Sequence, residues 1–344
     1  AWEKGWVKNL SSQNQYKQKV AVIGSGPAGM AASAYLIQNG YLVDVFEKND
    51  RAGGLMIYGI PNFKLDKKIV ERRTEWLTDS GVVFNLNTEV GKNISFQDLE
   101  KDYDAILIAT GVYKARQLDI DTSTVNNSIP ALDFLIESNR TGLGDSPSKN
   151  KYLTAKDKHV VVIGGGDTAM DCVRTAIRQQ AKEVTCLYRR NKENMPGSAR
   201  EVLNAEQEGI KFNWLSVPSK IISDSATATS MTYKVATLGE VDESGRRKPI
   251  DTGVEKQIKS DLIIQALGFE PEDLNHNFKT NIELTSWKTV KVDFKKFQTS
   301  NPKIFAAGDI VRGASLVVWA IHDGREVAKS IHNFLQSSKI KKAS

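Results

Sequence analysis

The sequence predicts an α/β fold with two dinucleotide-binding, Rossmann-like units, the second inserted in the first. The β-branched run from Lys19 to Ile23 leads into a glycine-rich turn and then into a helix of small apolar residues. The same order recurs 140 residues later, where Gly164 takes the place of Gly24. A chain of 344 residues is also long enough to form two separate cores.

The composition excludes several other classes of protein. Hydrophobic residues make up 40% of the chain and charged residues 26%, which is typical of globular proteins and not of disordered or collagen-like ones. The longest apolar run, Ala314 to Ile321, is too short to span a bilayer. No charged-then-apolar leader precedes Trp2, and the first residue is not Met. We therefore expect a soluble, cytoplasmic protein whose given sequence is compatible with a start inside a longer polypeptide.

The two cysteines, Cys172 and Cys186, are too few for a disulfide framework or an iron-sulfur cluster, and their spacing fits no zinc site. Any redox chemistry must therefore come from a bound organic cofactor. The net charge of +6 arises from basic residues that alternate with acidic ones, apart from Lys339 to Lys342. This pattern favours a solvated surface over binding of nucleic acid.

The first glycine turn has the spacing of a dinucleotide-binding βαβ unit. Gly24 would form the tight turn, Gly26 would let a pyrophosphate approach the backbone, and Gly29 would let helix and strand pack closely. The next strand, Tyr41 to Phe46, is followed by Glu47, which lies 23 residues after Gly24. At that distance the Glu47 carboxylate is expected to bind the ribose hydroxyls of an adenosine.

The second unit differs from the first at the end of its second strand. The strand from Glu183 to Tyr188 is followed by Arg189 and Arg190, 25 residues after Gly164, and not by a carboxylate. Two guanidinium groups can bind a 2′-phosphate through charge-assisted, forked hydrogen bonds, so the second unit is predicted to prefer NADPH to NADH. The alternative is that both arginines are only surface charges.

Four further segments complete the predicted organisation. The apolar strands from Tyr103 to Ile108 and from Asp261 to Ala266 end where each unit would bind its nucleotide. The segment from Thr141 to Asp157 is rich in Gly, Ser, Pro and Lys, which predicts a surface loop. Apolar residues at helical spacing between Lys67 and Thr78 predict a helix that serves packing and not chemistry.

A resemblance to a known family rests on motifs distributed along the chain. The run from Ile304 to Asp309 is predicted to be a strand that meets Gly308-Asp309, and an apolar segment follows it. Together with the first unit, this resembles flavoproteins that have two dinucleotide-binding domains. In that family the matching Asp binds the ribityl chain of FAD, and the N-terminus of the next helix points at the flavin. More closely, the chain resembles the small (beta) subunits of NADPH-dependent glutamate synthase, through the motifs Gly53 to Pro61, Gly164 to Asp171, Tyr188-Arg189-Arg190, Asn194-Met195-Pro196 and Ser315 to Ile321.

The resemblance implies a domain organisation like that of glutathione reductase and adrenodoxin reductase. It comprises a linker over residues 1–18, an FAD-binding domain over 19–112 and 269–344, and an NADPH-binding domain over 113–268. The implied FAD contacts are Gly24, Gly26, Ala28, Gly29, Glu47, Leu55, Ile60, Val90, Thr110, Gly111, Gly308, Asp309, Leu316, Val317 and Val318. The implied NADPH contacts are Gly165, Gly166, Asp167, Thr168, Arg189, Arg190 and Glu201.

The resemblance also implies a function. Hydride would pass from NADPH to FAD, and electrons would then pass to the glutamate synthase large subunit, which makes glutamate from glutamine and 2-oxoglutarate. No general acid or base is expected, because both reacting groups are cofactors. Iron-sulfur clusters are expected only in an upstream segment, of which Trp2 to Leu10 would be the last turn, or in a partner. Many relatives have Asn where this chain has Asp167, which is expected to cap its helix or face the nicotinamide ribose.

Other functions stay open at this stage. The chain could be the NADPH-linked FAD module of another electron-transfer complex, of the ferredoxin-NADP transhydrogenase or dihydropyrimidine dehydrogenase type. It could also be a non-catalytic scaffold that docks a partner, although the phosphate-binding residues of both units argue against that. A disulfide reductase is disfavoured because the chain has no CxxC or CxxxxC pair. A flavin monooxygenase is a weaker alternative.

Overall fold

The computed structural model describes residues 1–241, 245 and 247–343, with side chains described as far as residue 337. The chain forms two compact units. The first comprises Ala1–Ile57, Leu65–Lys114 and Phe269–Ser344, and the second comprises Tyr58–Lys64 and Ala115–Gly268. The side chains of Lys339 to Lys342, the one run of basic residues noted above, lie outside the described part.

The described strands are β1 (Lys19–Ile23), β2 (Leu42–Phe46), β3 (Val83–Asn85), β4 (Ala105–Ile108), β5 (Lys114–Ala115), β6 (Ser128–Pro130), β7 (His159–Ile163), β8 (Glu183–Leu187), β9 (Lys211–Asn213), β10 (Ser216–Asp224), β11 (Thr227–Val241), β12 (Arg247–Lys259), β13 (Leu262–Gln265), β14 (Phe269–Glu270) and β15 (Ile304–Ala306). The described α-helices are α1 (Pro27–Gln38), α2 (Leu55–Tyr58), α3 (Lys67–Asp79), α4 (Phe96–Asp102), α5 (Ala131–Gly142), α6 (Asp167–Arg178), α7 (Ala199–Gln207), α8 (Leu274–Phe278), α9 (Asp309–Arg312) and α10 (Val317–Ala343). Two short 3-10 helices cover Lys151–Leu153 and Lys192–Asn194.

The first unit is built on a parallel sheet in the order β15-β4-β1-β2-β3. The apolar run Val20 to Ile23 is buried because β1 lies at the centre of the sheet, with neighbours on both sides. The connection from β1 to β2 is α1, which has Pro27 at its first position and ends before Gly40, where φ is +90°. This is the predicted strand, glycine turn and helix.

The second unit repeats this arrangement with a parallel sheet in the order β6-β13-β7-β8-β9. β7 is central and buried, and α6 connects it to β8. The unit also contains an antiparallel sheet of β10, β11 and β12, which was not predicted from the sequence. The parallel sheets and their connecting helices confirm the predicted α/β fold with two Rossmann-like units.

Local structure differs in part from the sequence predictions in the segments outside the two sheets. The segment from Thr141 to Asp157 is not wholly a loop, because α5 extends to Gly142 and a 3-10 turn covers Lys151–Leu153. The predicted helix after Lys67 is present as α3, capped by Asp66, whose carboxylate accepts a hydrogen bond from the Lys68 N–H at 3.0 Å. Residues 2 to 5 form a turn, and residues 6 to 10 form neither helix nor strand; that this segment ends an upstream cluster-bearing region stays a prediction.

The N-terminal segment nevertheless has ordered contacts with α3. The Trp76 indole N–H donates to the Lys8 carbonyl at 2.8 Å, and the Trp2 and Trp76 rings meet edge to face with centroids 6.1 Å apart. α3 therefore serves packing, as predicted. None of the described helices combines the length and the hydropathy that a membrane-spanning helix requires.

Candidate dinucleotide-binding sites

Two glycines of the first motif, Gly24 and Gly29, leave no room for a side chain. Gly24 has φ of +102°, and a Cβ on it would lie 2.4 Å from the Ala109 carbonyl oxygen. A Cβ on Gly29 would lie 2.0 Å from the Gly24 carbonyl oxygen, so α1 rests directly on the turn. These positions agree with the tight turn and the close helix packing expected of Gly24 and Gly29.

Gly26 has a different environment from its two neighbours in the motif. It is the N-cap residue of α1, and a Cβ there would meet no atom within 4 Å. In the part of the chain that the structure describes, no side chain caps this helix. The N–H groups and the partial positive charge of the α1 N-terminus are therefore available to a phosphate.

Glu47 is nearly buried, at 5% exposure, and binds the glycine turn itself. One carboxylate oxygen accepts from the Ser25 hydroxyl at 2.5 Å and the Ser25 N–H at 3.1 Å, and the other accepts from the Asn49 N–H at 2.9 Å. Ser25 also accepts from the Gly53 N–H at 3.0 Å. Ser25 was not predicted, because its only signal in the sequence is its place between Gly24 and Gly26. The binding of a ribose by Glu47 stays a prediction.

Thr110 and Gly111 follow β4, at the same edge of the sheet as the first glycine turn. The Thr110 hydroxyl oxygen is buried and has no hydrogen-bond partner in the described part of the chain. Gly111 has φ of +71°. An unpartnered buried hydroxyl is costly, so this oxygen is suited to a polar ligand group at the edge of the sheet.

Gly308 and Asp309 lie where β15 gives way to α9. Gly308 has φ of +79°, and a Cβ on it would lie 2.9 Å from the Cβ of Ala28 in α1. Asp309 is the first residue of α9, and its carboxylate accepts from the Ser315 hydroxyl at 2.6 Å. Burial raises the pKa of Asp309. The open α1 N-terminus, the unpartnered Thr110 hydroxyl and this carboxylate fit a flavin dinucleotide with its pyrophosphate at α1.

The remaining residues predicted to contact FAD are in varied positions. Leu316 and Val318 flank the start of α10 and are 58% and 64% exposed. The Val90 side chain is buried in the apolar core, so its backbone is the part that remains for a ligand. Leu55 begins α2 in the first unit, whereas Ile60 belongs to the short segment Tyr58–Lys64 of the second unit.

The second glycine turn repeats the geometry of the first. Gly164 has φ of +146°, and a Cβ on it would lie 2.2 Å from the Ala266 carbonyl oxygen. Gly166 is the N-cap residue of α6, and a Cβ there would meet no atom within 4 Å. A Cβ on Gly165 would lie 2.4 Å from the Tyr188 ring, so this position also requires glycine. The α6 N-terminus is thus open to a phosphate in the same way as that of α1.

Asp167 and Thr168 open α6. Asp167 makes no capping bond to its own helix, contrary to one of the two roles expected for it. Its exposed carboxylate instead accepts from the Ser198 N–H at 3.0 Å, and the Gly197 N–H donates to the Gly165 carbonyl at 2.9 Å. Asp167 therefore holds the start of α7 against the glycine turn.

Arg189 and Arg190 follow β8, as predicted, but they differ in exposure. Arg189 is exposed, whereas Arg190 is 7% exposed and donates from Nε to the Arg247 carbonyl at 2.7 Å. Arg247 begins β12, so the antiparallel sheet fixes one of the two guanidinium groups. Recognition of a 2′-phosphate by the pair stays a prediction.

Glu201, in α7, is part of an ion-pair network within the second unit. Its carboxylate lies 2.6 Å from the Arg174 guanidinium and 3.2 Å from the Lys64 ammonium, which also lies 2.7 Å from Asp171. Burial opposes ionisation of Glu201, but the hydrogen bonds from Lys64 and Arg174 outweigh it and lower its pKa. Burial of Asp171 prevails over Lys64 and raises the Asp171 pKa to about 6.

Comparisons with known proteins agree with this geometry. A sequence profile of the pyridine nucleotide-disulphide oxidoreductase family matches residues 18–324. The chain is 49% identical to the glutamate synthase (NADPH) small chain of Azospirillum brasilense over 341 residues, which cover 98% of this chain and 70% of that protein. The corresponding small chain of Escherichia coli K12 is 43% identical, over 98% of this chain and 72% of the relative.

The chain belongs to the family of glutamate synthase small chains. As a member of this family it is an NADPH-dependent FAD oxidoreductase, as the sequence predicted. Among solved structures, FprA of Mycobacterium tuberculosis in complex with NADPH has a TM-score of 0.77. That likeness covers 95% of this chain and 86% of FprA at 19% identity, and it shows the shared fold.

The broader family name includes disulphide chemistry, which the two cysteines of this chain do not support. Cys172 and Cys186 are both buried. Burial raises the pKa of Cys186 to about 12 and that of Cys172 well above its ordinary value. A buried thiol that stays protonated is a poor nucleophile, so neither cysteine is suited to thiol-disulfide exchange.

Proposed function

We propose that this chain is the electron-entry subunit of a glutamate synthase, where it takes electrons from NADPH onto FAD and passes them to a large subunit. That subunit would make glutamate from glutamine and 2-oxoglutarate in the cytoplasm. The observation that carries the proposal is the presence of two open glycine turns, at Gly26 and Gly166, in a chain of this family.

When bound, the cofactors supply hydride transfer from the nicotinamide C4 to the flavin N5. The first unit is proposed to hold FAD. Gly26 leaves the α1 N-terminus open to the pyrophosphate, Glu47 binds the adenosine ribose, and Asp309 binds the ribityl chain. The Thr110 hydroxyl donates to a polar group of the flavin dinucleotide, which gives this buried oxygen a partner.

The second unit is proposed to hold NADPH. The α6 N-terminus binds the pyrophosphate beside Gly165 and Gly166. Arg189 and Arg190 bind the 2′-phosphate, with Arg190 held in place by the Arg247 carbonyl. No side chain is proposed as general acid or base, because the protein's contribution is the position of both cofactors and the exclusion of other reactions.

Onward transfer needs a carrier outside residues 1–344. Two cysteines cannot ligate a cluster that requires four thiolates, and both are buried in this chain. We therefore propose that iron-sulfur clusters in another segment or subunit carry electrons from FAD to the site of glutamate formation.

The test is to assay the full small chain together with a glutamate synthase large subunit, using NADPH, glutamine and 2-oxoglutarate. The proposal predicts glutamate formation coupled to NADPH oxidation, and no glutamate when Gly26→Glu replaces the wild-type residue in the small chain. A flavoprotein that NADPH reduces, but that forms no glutamate with any such subunit, would assign the chain to a different electron-transfer complex.

A further inference from the structure

An ion pair between a solvent-exposed Arg312 and a buried Asp323 joins the last residue of α9 to the second turn of α10. Arg312 donates to the Asp323 carboxylate from Nε at 2.5 Å and from Nη2 at 2.7 Å. The Asp323 side chain is fully buried, and Trp319 lies with its ring centroid 5.3 Å from the guanidinium. Two parallel bonds from a planar guanidinium fix orientation as well as distance. A carboxylate buried in this way is stable only with such a partner, so the pair favours one arrangement of the two helices.

Asp323 is held in place by its neighbour in α10. A Cβ on Gly324 would lie 2.3 Å from the Ala28 carbonyl oxygen, so α10 rests directly on α1 at this point. Gly308, which precedes α9, also packs closely on α1, since a Cβ on it would lie 2.9 Å from the Ala28 Cβ. The residue before α9 and the residue after Asp323 therefore both pack against Ala28 of α1.

The connection between α9 and α10, residues 313–316, is fixed at its own ends as well. Gly313 has φ of +81° and donates its N–H to the Asp309 carbonyl at 2.8 Å. The Ser315 hydroxyl donates to the Asp309 carboxylate at 2.6 Å. α10 then begins at Val317, where the first N–H groups of the helix lie beside residues proposed to contact FAD. The position of these N–H groups depends on how firmly the two short helices are joined.

We propose that Arg312 and Asp323 form a positioning pair that sets the reduction potential of bound FAD by fixing the N-terminus of α10. This inference rests on the proposed FAD site. The partial positive charge of a helix end stabilises an anion, and this effect is confined to the first turn. Reduced flavin gains negative charge, so a small displacement of the α10 N-terminus weakens binding of the reduced form more than that of the oxidised form.

The test uses three variants of the FAD-loaded chain. Arg312→Lys keeps the positive charge but loses the two parallel hydrogen bonds to Asp323, and Arg312→Gln loses the charge as well. Lys329→Gln is the matched control, because it removes an exposed ion pair with Glu326 that lies further along α10 than Asp323. For each variant the two-electron reduction potential, the FAD dissociation constant and the thermal unfolding midpoint are measured.

In both Arg312 variants, the ratio of the affinity for reduced FAD to that for oxidised FAD should be about tenfold lower than in wild type. This corresponds to a reduction potential that is lower by about 30 mV. Lys329→Gln should keep the wild-type potential. A wild-type potential in folded Arg312→Lys would overturn the proposal, because the charge alone would then suffice, and so would an equal shift in Lys329→Gln. If Arg312→Gln does not fold, Arg312→Lys decides. A wild-type chain that binds no FAD would instead contradict the proposed function.

Discussion

Gly26 and Gly166 occupy equivalent positions in the two units, and each leaves a helix N-terminus open. We predict that Gly26→Glu abolishes FAD binding, because the new carboxylate fills the space needed by the pyrophosphate and repels it. Gly166→Glu should keep FAD but abolish reduction by NADPH. The measurement is the flavin content of each purified variant, followed by its reduction with NADPH.

The two variants control for each other, since neither new side chain meets protein atoms at its Cβ. Both should therefore retain the wild-type fold, as checked by circular dichroism. Full flavin occupancy in Gly26→Glu would show that FAD binds elsewhere, and loss of FAD in both variants would show that the effect is general destabilisation.

Arg189 and Arg190 carry the predicted preference for NADPH. Two charge-assisted contacts are worth about 1.5 to 3 kcal/mol each, so replacing both arginines by Ala should weaken NADPH binding at least about a hundredfold and leave NADH binding almost unchanged. The measurement is the dissociation constant of NADPH and of NADH for the wild type and for the double variant.

Lys211→Ala is the matched control for the arginines, because Lys211 is a cation on the neighbouring strand β9, where it pairs with Glu183 at 2.6 Å. It should change the affinity for neither nucleotide. Equal losses of NADPH and NADH affinity in the Arg189/Arg190 double variant would mean that these arginines do not recognise the 2′-phosphate.

On the scale of single elements, α6 carries a buried carboxylate that titrates abnormally. Burial raises the pKa of Asp171 to about 6 from an ordinary value of 3.8. Between pH 3.8 and about pH 6, the Asp171 carboxyl is protonated in the folded chain but ionised in the unfolded chain. The contribution of this group to stability is therefore fully present below pH 3.8 and is lost as the pH rises through about 6. A shift of about two pH units corresponds to at most about 3 kcal/mol.

We therefore predict that Asp171→Asn gains stability relative to wild type as the pH rises from about 4 to 7.5, by about 2 kcal/mol. Urea unfolding at several pH values measures the difference. Asp251→Asn is the control, because the Lys234 side chain lowers the pKa of the exposed Asp251 carboxyl. This variant should not gain stability relative to wild type as the pH rises. A gain independent of pH would contradict a titrating Asp171.

The elements that could be predicted from the sequence are those with a local signal. β1 has the predicted bounds because it is a β-branched run that ends at a glycine turn, and β7 is a run of the same kind before the second glycine turn. β12 was missed because nearly all of its residues are exposed, which leaves no hydrophobic period to detect. The short helical turn at Lys151–Leu153 was missed because Gly, Ser and Pro dominate the segment before it.

The candidate sites show the same limit. Gly24, Gly26, Gly164 and Gly166 could be found because the backbone conformation of a turn is encoded in adjacent residues. The ion pair between Lys64 and Asp171 joins residues 107 positions apart, and the one between Arg312 and Asp323 joins two separate helices. Such contacts depend on the tertiary fold, so no short motif predicts them.

For the whole molecule, electron entry and glutamate formation should be separable activities. The isolated chain should reduce an artificial dye with NADPH, because reduced flavin can pass electrons to a small oxidant at its edge. It should form no glutamate from glutamine and 2-oxoglutarate, because two buried cysteines hold no cluster to carry electrons onward. Assays with and without the dye test both statements, and glutamate made by the isolated chain would contradict this division.

The most direct test of electron entry is an anaerobic titration of the purified, FAD-loaded chain with NADPH and, separately, with NADH, followed by the visible absorbance of the flavin. About one NADPH should bleach each FAD, as expected for transfer of one hydride, and NADH should do so far more slowly. Flavin that stays oxidised in excess NADPH, or that both nucleotides reduce equally fast, would contradict this prediction.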